Sequence, residues 1–200
     1  MENLLAEHIK RKSEIRQRLQ YFKSIRPEDY FYELCFCVLT PQTSARRGDK
    51  AISLLKEKKF HEKKINAAPI LQSIVRFHNH KAKYLDDVKK NYSVIFEKIK
   101  NTENSFELRN WLAENIKGIG LKESSHFLRN IGHENLAILD RHILKNLAKY
   151  RVIKEAPKSL TRNKYLEIEE KFKEFGKDLN IPMDELDLLF WSHEAGEVFK

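Results

Sequence analysis

Lys122 and Asp140 are the residues whose types and surroundings point most directly to covalent chemistry. Lys122 lies in Gly118-Ile119-Gly120-Leu121-Lys122-Glu123-Ser124-Ser125-His126-Phe127-Leu128, two positions after the second glycine of a Gly-x-Gly. Upstream, Leu108, Trp111, Leu112 and Ile116 recur three and four apart, the spacing of an amphipathic helix over Ser105 to Ile116. Helical spacing resumes through Phe127, Leu128 and Ile131, and Gly132 supplies a stop. A helix thus runs into two glycines and a second helix starts at once. Such glycines let the backbone turn tightly and present N–H groups, while the second helix adds the positive end of its dipole. Gly118, Ile119 and Gly120 are therefore candidates for gripping a phosphate backbone. A dinucleotide-binding loop is excluded, because no strand precedes the glycines and no third glycine follows at the required spacing. Taken alone, the Gly-x-Gly is equally an ordinary turn between helices.

A lysine in the first turn of a helix sits at the positive dipole end, where an ammonium is disfavoured. Burial there would favour the neutral amine, which is a nucleophile. Asp140 lies downstream in Ala137-Ile138-Leu139-Asp140-Arg141-His142-Ile143-Leu144, whose apolar flanks predict a semi-buried acid just before a helix. Taken singly, Asp140 reads equally as a helix cap.

The elements that must hold these residues are helices. Leu5, Ile9, Ile15, Leu19 and Phe22 predict an amphipathic helix over about residues 4–21, and Pro27 opens a more apolar one running to Leu39. Thr40 to Thr43 reads as a loop, followed by a helix over 44–57. Pro69 opens a short helix through Phe77, and residues 80–92 and 94–100 predict two more. Beyond the Lys122 helix, residues 143–150, 161–179 and 182–193 complete the set, with 151–159 irregular. Only 6 Gly and 5 Pro leave little material for turn-rich β-structure, so the fold class is all-α.

Lys and Arg number 38 against 29 acidic residues, a net charge of +9. Such an excess suits a polyanionic partner, and equally a solvated lysine-rich surface. No stretch approaches the ~20 apolar residues of a membrane span. The N-terminus lacks the basic-then-apolar pattern of a secretory signal. Cys35 and Cys37, one residue apart on an apolar helix, face different directions and read as small buried hydrophobes. A reducing, cytoplasmic setting is expected, and two cysteines cannot supply the four ligands of a cubane iron–sulfur cluster.

Gly118 to Lys122 followed by Leu139-Asp140-Arg141-His142 resembles the helix-hairpin-helix DNA glycosylase superfamily that includes endonuclease III. Leu39-Thr40-Pro41-Gln42-Thr43-Ser44-Ala45 and His78-Asn79-His80-Lys81-Ala82 extend the likeness. Within the superfamily, residues 120–132, together with Leu186 to Trp191 and Gly196 to Lys200, look like the archaeal-type 8-oxoguanine DNA glycosylases. The resemblance implies that Lys122 attacks the sugar C1′ and that Asp140 assists base departure. It implies that Gln42 touches DNA near the extruded nucleotide, that Trp191 stacks on the damaged base, and that the terminal carboxylate of Lys200 reads that base. Phe77 and His78 are both candidates for the opposite wall. Gly118, Ile119, Gly120 and His142 would contact the DNA backbone.

Two helical lobes are expected: residues 27–135, containing the helix-hairpin-helix at about 105–132, and residues 1–26 with 136–200. The active-site cleft would lie between them. The expected activity is removal of 8-oxoguanine from double-stranded DNA through a lysine Schiff base, then strand cleavage by β-elimination. A monomer working in the cytoplasm with the nucleoid, without metal or other cofactor, is expected. Two alternatives are a glycosylase for oxidised pyrimidines or mismatches and a non-catalytic DNA-binding module.

Overall fold

The structure is a computed structural model describing residues 2–199. Ten α-helices form, and no strand occurs among the described residues. Helix α1 spans Glu2–Lys23, followed by a short 3-10 turn at Pro27–Asp29, α2 at Tyr30–Leu39 and α3 at Ala45–Glu57. Next come α4 (Ala68–Leu71), α5 (His78–Asn101), α6 (Ser105–Asn115) and α7 (Leu121–Asn130). Helices α8 (Arg141–Lys149), α9 (Arg162–Asp178) and α10 (Met183–Ala195) complete the chain. None of these helices is long and apolar enough to cross a membrane.

Local chemistry explains most of the starts. Ser44, Asn104, Asp140 and Thr161 each accept backbone N–H bonds at the head of α3, α6, α8 and α9. Gly132 ends the α7 segment at φ +94, and a Cβ there would stand 3.0 Å from the Lys23 backbone.

The chain divides into two compact units, residues 25–127 and residues 1–24 with 128–200, so the division falls within α7. In the first, α2 is buried from Phe31 to Leu39 and packs on α3 and α5, while α6 packs on α5. In the second, α10 is the hub and receives α1, α8 and α9.

Three expectations about the helices are corrected. Residues 78–101 form one helix rather than two, because no Gly or Pro interrupts Asn91-Tyr92-Ser93 and Asn91 bonds back to the Asp87 carbonyl at 2.8 Å. The helix opened by Pro69 ends at Leu71, and the chain turns until Phe77, whose φ of +57 lets α5 start in a new direction. On α1 the buried positions are Leu4, His8, Ile15 and Phe22, whereas Leu5 and Ile9 are exposed. His8 takes an inward position because Nε2 lies 2.6 Å from Glu185 Oε2 of α10, whose other oxygen accepts from Arg16 Nε at 2.8 Å. A buried polar residue with that partner displaces the stripe from the one apolarity alone predicts.

Candidate active site

The hairpin forms as the glycines predict. Gly118 and Gly120 are exposed, while Ile119 between them is buried and fastens the turn. Gly118 has φ +88, and a Cβ there would fall 2.4 Å from the Tyr84 ring. The flanking helices are tied beneath the turn by Arg109 of α6. Arg109 is 1% exposed, and its Nη1 donates to Ser125 Oγ of α7 at 3.4 Å.

Lys122 is the second residue of α7 and is half-buried. Its Nζ stands 2.9 Å from Glu123 Oε1, so the first-turn ammonium has a counter-charge beside it. Glu123 Oε2 in turn accepts the Gly120 N–H at 3.1 Å. This is the returning half of a capping box, in which an acid at the third helical position reaches back to the residue before the helix. Glu123 was not singled out from the sequence. Its signal is the acid three residues after Gly120.

The Gln42 loop and the Phe77–His78 junction meet through Lys81 of α5. Lys81 is 4% exposed and its Nζ donates to Leu39 O, Pro41 O and Thr43 Oγ1 at 2.7, 2.7 and 2.8 Å. Its backbone N–H bonds to Phe77 O. Burial, aided by the nearby Arg76 charge, pulls the Lys81 pKa down to about 8. Gln42 is exposed in the left-handed region, at φ +55, on the loop that Lys81 fastens. Phe77 is also left-handed and 53% exposed, with the Arg76 guanidinium over its ring, and His78 is half-buried. Exposed non-glycine residues at positive φ are costly, and they cluster at functional sites.

The other unit holds Asp140, His142 and Trp191. Asp140 is half-buried and caps α8, its Oδ1 accepting from the amides of His142 and Ile143 at 2.8 and 2.9 Å. One oxygen takes both amides. The approach to Asp140, Leu136 to Leu139, is buried. It is pinned at Ala137, whose N–H donates to Glu169 Oε1 at 2.8 Å and whose carbonyl accepts from the Tyr165 hydroxyl. Asn135 N–H donates to Asp184 Oδ2 at 2.9 Å. Trp191 lies on α10, half-buried, and is therefore not a fully enclosed core residue. Lys200 lies outside the described residues. Lys122 and Asp140 belong to different units. No group of three or more His, Cys, Asp or Glu among the described residues is arranged to hold a metal ion.

Lys122 places an amine at a helix start close to the hairpin turn, and Asp140 places a carboxylate at the start of another helix. An amine of this kind can attack an electrophilic carbon, and a carboxylate of this kind can stabilise positive charge. The family described as 8-oxoguanine DNA glycosylase matches residues 14–181. A Fusobacterium nucleatum protein named 8-oxoguanine DNA glycosylase/AP lyase is 46% identical, over 94% of this chain and 92% of its own. The crystal structure of the Methanocaldococcus jannaschii 8-oxoguanine DNA glycosylase superposes with a TM-score of 0.88 at 36% identity, covering 100% of this chain and 97% of that one. The same organism's enzyme in complex with 15mer DNA containing 8-oxoguanine gives 0.85 at 34% identity, covering both chains fully.

Proposed function

The chain belongs to the 8-oxoguanine DNA glycosylase family, and on that premise we propose how its own residues carry out the reaction. It is a bifunctional enzyme, an 8-oxoguanine DNA glycosylase and abasic-site lyase. The observation that carries the residue assignment is the position of Lys122. It is half-buried in the first turn of α7, two positions after the Gly118-Ile119-Gly120 turn.

Duplex DNA is held by its phosphates on the hairpin amides and on the surrounding positive charge, with one nucleotide extruded. Asp140 stabilises positive charge on the sugar as the C1′–base bond breaks, the bonding pair leaving with the base. Lys122 Nζ forms the bond to C1′; the sugar ring then opens as the C1′–O4′ bond breaks, O4′ taking the proton that Nζ gives up, and a protonated Schiff base remains. Loss of a C2′ proton then drives electrons towards the iminium nitrogen, and the 3′ phosphate departs by β-elimination. The iminium is the electron sink, so the scheme needs no cofactor. Gln42, Phe77 or His78, Trp191 and the Lys200 carboxylate would line the extruded base, and His142 would join the hairpin on the backbone. The partner is double-stranded DNA containing oxidised guanine. We place the enzyme in the cytoplasm with the nucleoid, working as a monomer.

The test is borohydride trapping and strand incision on a panel of lesion duplexes with the wild type and Lys122→Gln. Wild type should incise 8-oxoguanine duplexes above those with oxidised pyrimidines or mismatches. Lys122→Gln should form no trapped adduct while binding duplex normally. An adduct in that variant would assign the nucleophile to another amine.

A further inference from the structure

Glu123 holds two positively polarised groups at once. One oxygen lies 2.9 Å from the Lys122 ammonium and the other accepts the Gly120 N–H at 3.1 Å. The Glu123 side chain is 15% exposed and that of Lys122 27%, while the Gly120 end of the bridge lies at the surface. Gly120 N–H is a single donor at the head of a helix, and a phosphate oxygen approaching it competes with the carboxylate for the same proton. A phosphate and a carboxylate at hydrogen-bonding distance from one another also repel. Phosphate binding at the turn therefore displaces Glu123. Displacement also breaks its hold on Lys122, because both contacts belong to one carboxylate.

We propose that Glu123 is a positioning residue that ties the Lys122 amine to the empty hairpin and releases it when a DNA phosphate takes Gly120. Backbone grip and nucleophile release are then one exchange of anions, a carboxylate out and a phosphate in. The inference rests on the reading of Lys122 as nucleophile. A capping residue alone would behave differently: glutamine keeps an acceptor for Gly120 N–H, so Glu123→Gln would be neutral if capping were the whole role.

The experiment uses the full chain and a duplex carrying a preformed abasic site. Single-turnover borohydride trapping is measured against enzyme concentration, giving a half-saturation concentration and a maximal rate, and fluorescence anisotropy gives the affinity for undamaged duplex. The variants are Glu123→Gln, Glu123→Ala and Asp87→Asn. Asp87 pairs with Lys117 beside the hairpin at 3.3 Å, so its neutralisation is a charge-matched control. Both Glu123 variants should lower the half-saturation concentration and the duplex Kd by about fivefold, the scale of one partly exposed ionic hydrogen bond. The maximal rate should stay within about twofold of wild type, since at saturation the phosphate has already displaced the carboxylate. Asp87→Asn should give less than half that gain. Unchanged or weaker binding in Glu123→Gln overturns the proposal, as does an equal gain in Asp87→Asn. Should Lys122→Gln still trap, the nucleophile assignment fails instead, and anisotropy still reads the competition at Gly120.

Discussion

Arg129 Nη1 donates to Asp187 Oδ2 across 2.6 Å, with the two side chains 4% and 8% exposed. The guanidinium also lies 5.1 Å from the Phe22 ring centre, so α1, α7 and α10 meet on one cation. Burial pushes the Asp187 carboxyl up to about 7 against the pull of Arg129, and Asp140 and Asp184 push in the same direction. A folded value above the ordinary 3.8 means that the native state keeps a proton the unfolded chain has released. The group's contribution is fully present below about pH 4 and is lost as pH rises through about 7. Thermal unfolding between pH 4 and 8 should therefore show wild type losing stability relative to Asp187→Asn as pH rises. A pH-independent difference would show that Arg129 keeps the carboxylate ionised throughout.

Asp140 caps a helix, and two substitutions separate that role from the one proposed for it in the reaction. Asparagine retains an oxygen for the His142 and Ile143 amides, so Asp140→Asn should fold normally. It should still excise slower by roughly two to three orders of magnitude, the cost of ~3–4 kcal/mol of charge stabilisation. Asp140→Ala should lose a further ~1 kcal/mol of stability with the cap. Single-turnover excision and urea unfolding measure the two effects.

Lys81→Met should act on the Gln42 loop. It leaves Leu39 O, Pro41 O and Thr43 Oγ1 without their shared donor, at ~2–4 kcal/mol in total. Hydrogen exchange should quicken at residues 40–44, and 8-oxoguanine excision should suffer more than cleavage of a preformed abasic site. Unaltered exchange in that loop would deny Lys81 its fastening role.

Gly118→Ala places a methyl 2.4 Å from the Tyr84 ring on a backbone at φ +88. Left-handed backbone alone costs an alanine ~1–2 kcal/mol, and the clash adds to it. The expected result is a loss of ~2 kcal/mol or more and a marked drop in duplex affinity. Paired Gly118→Ala and Tyr84→Ala substitutions should recover part of the loss if the ring is the obstacle.

What could be read from the sequence was local. The hairpin followed from two glycines between two periodic segments, and Asp140 at a helix start followed from an acid between apolar flanks. Residues that act across the chain gave no such signal. Lys81 reads as one lysine among many until its buried acceptors from a loop some 40 residues earlier are seen. Glu169 and Tyr165, one turn apart on α9, hold Ala137 from a distance no periodicity encodes. His8 misled the reading of α1 because apolarity was the only guide to its inner face, and the partner that draws it inward is 177 residues away.

That last separation bears on how the molecule is made. Residues 25–127 form a unit from one uninterrupted stretch, whereas the other unit needs both the first 24 residues and those from 128 onward. At a synthesis rate of ~5–20 residues per second, roughly 10–35 seconds pass between the appearance of His8 and that of Glu185. During that interval Leu4, Ile15 and Phe22 have no α10 to cover them, while the intervening segment already holds all the chain it requires. Birth order and spatial order are thus reversed: the helix made first is among the last to find its place.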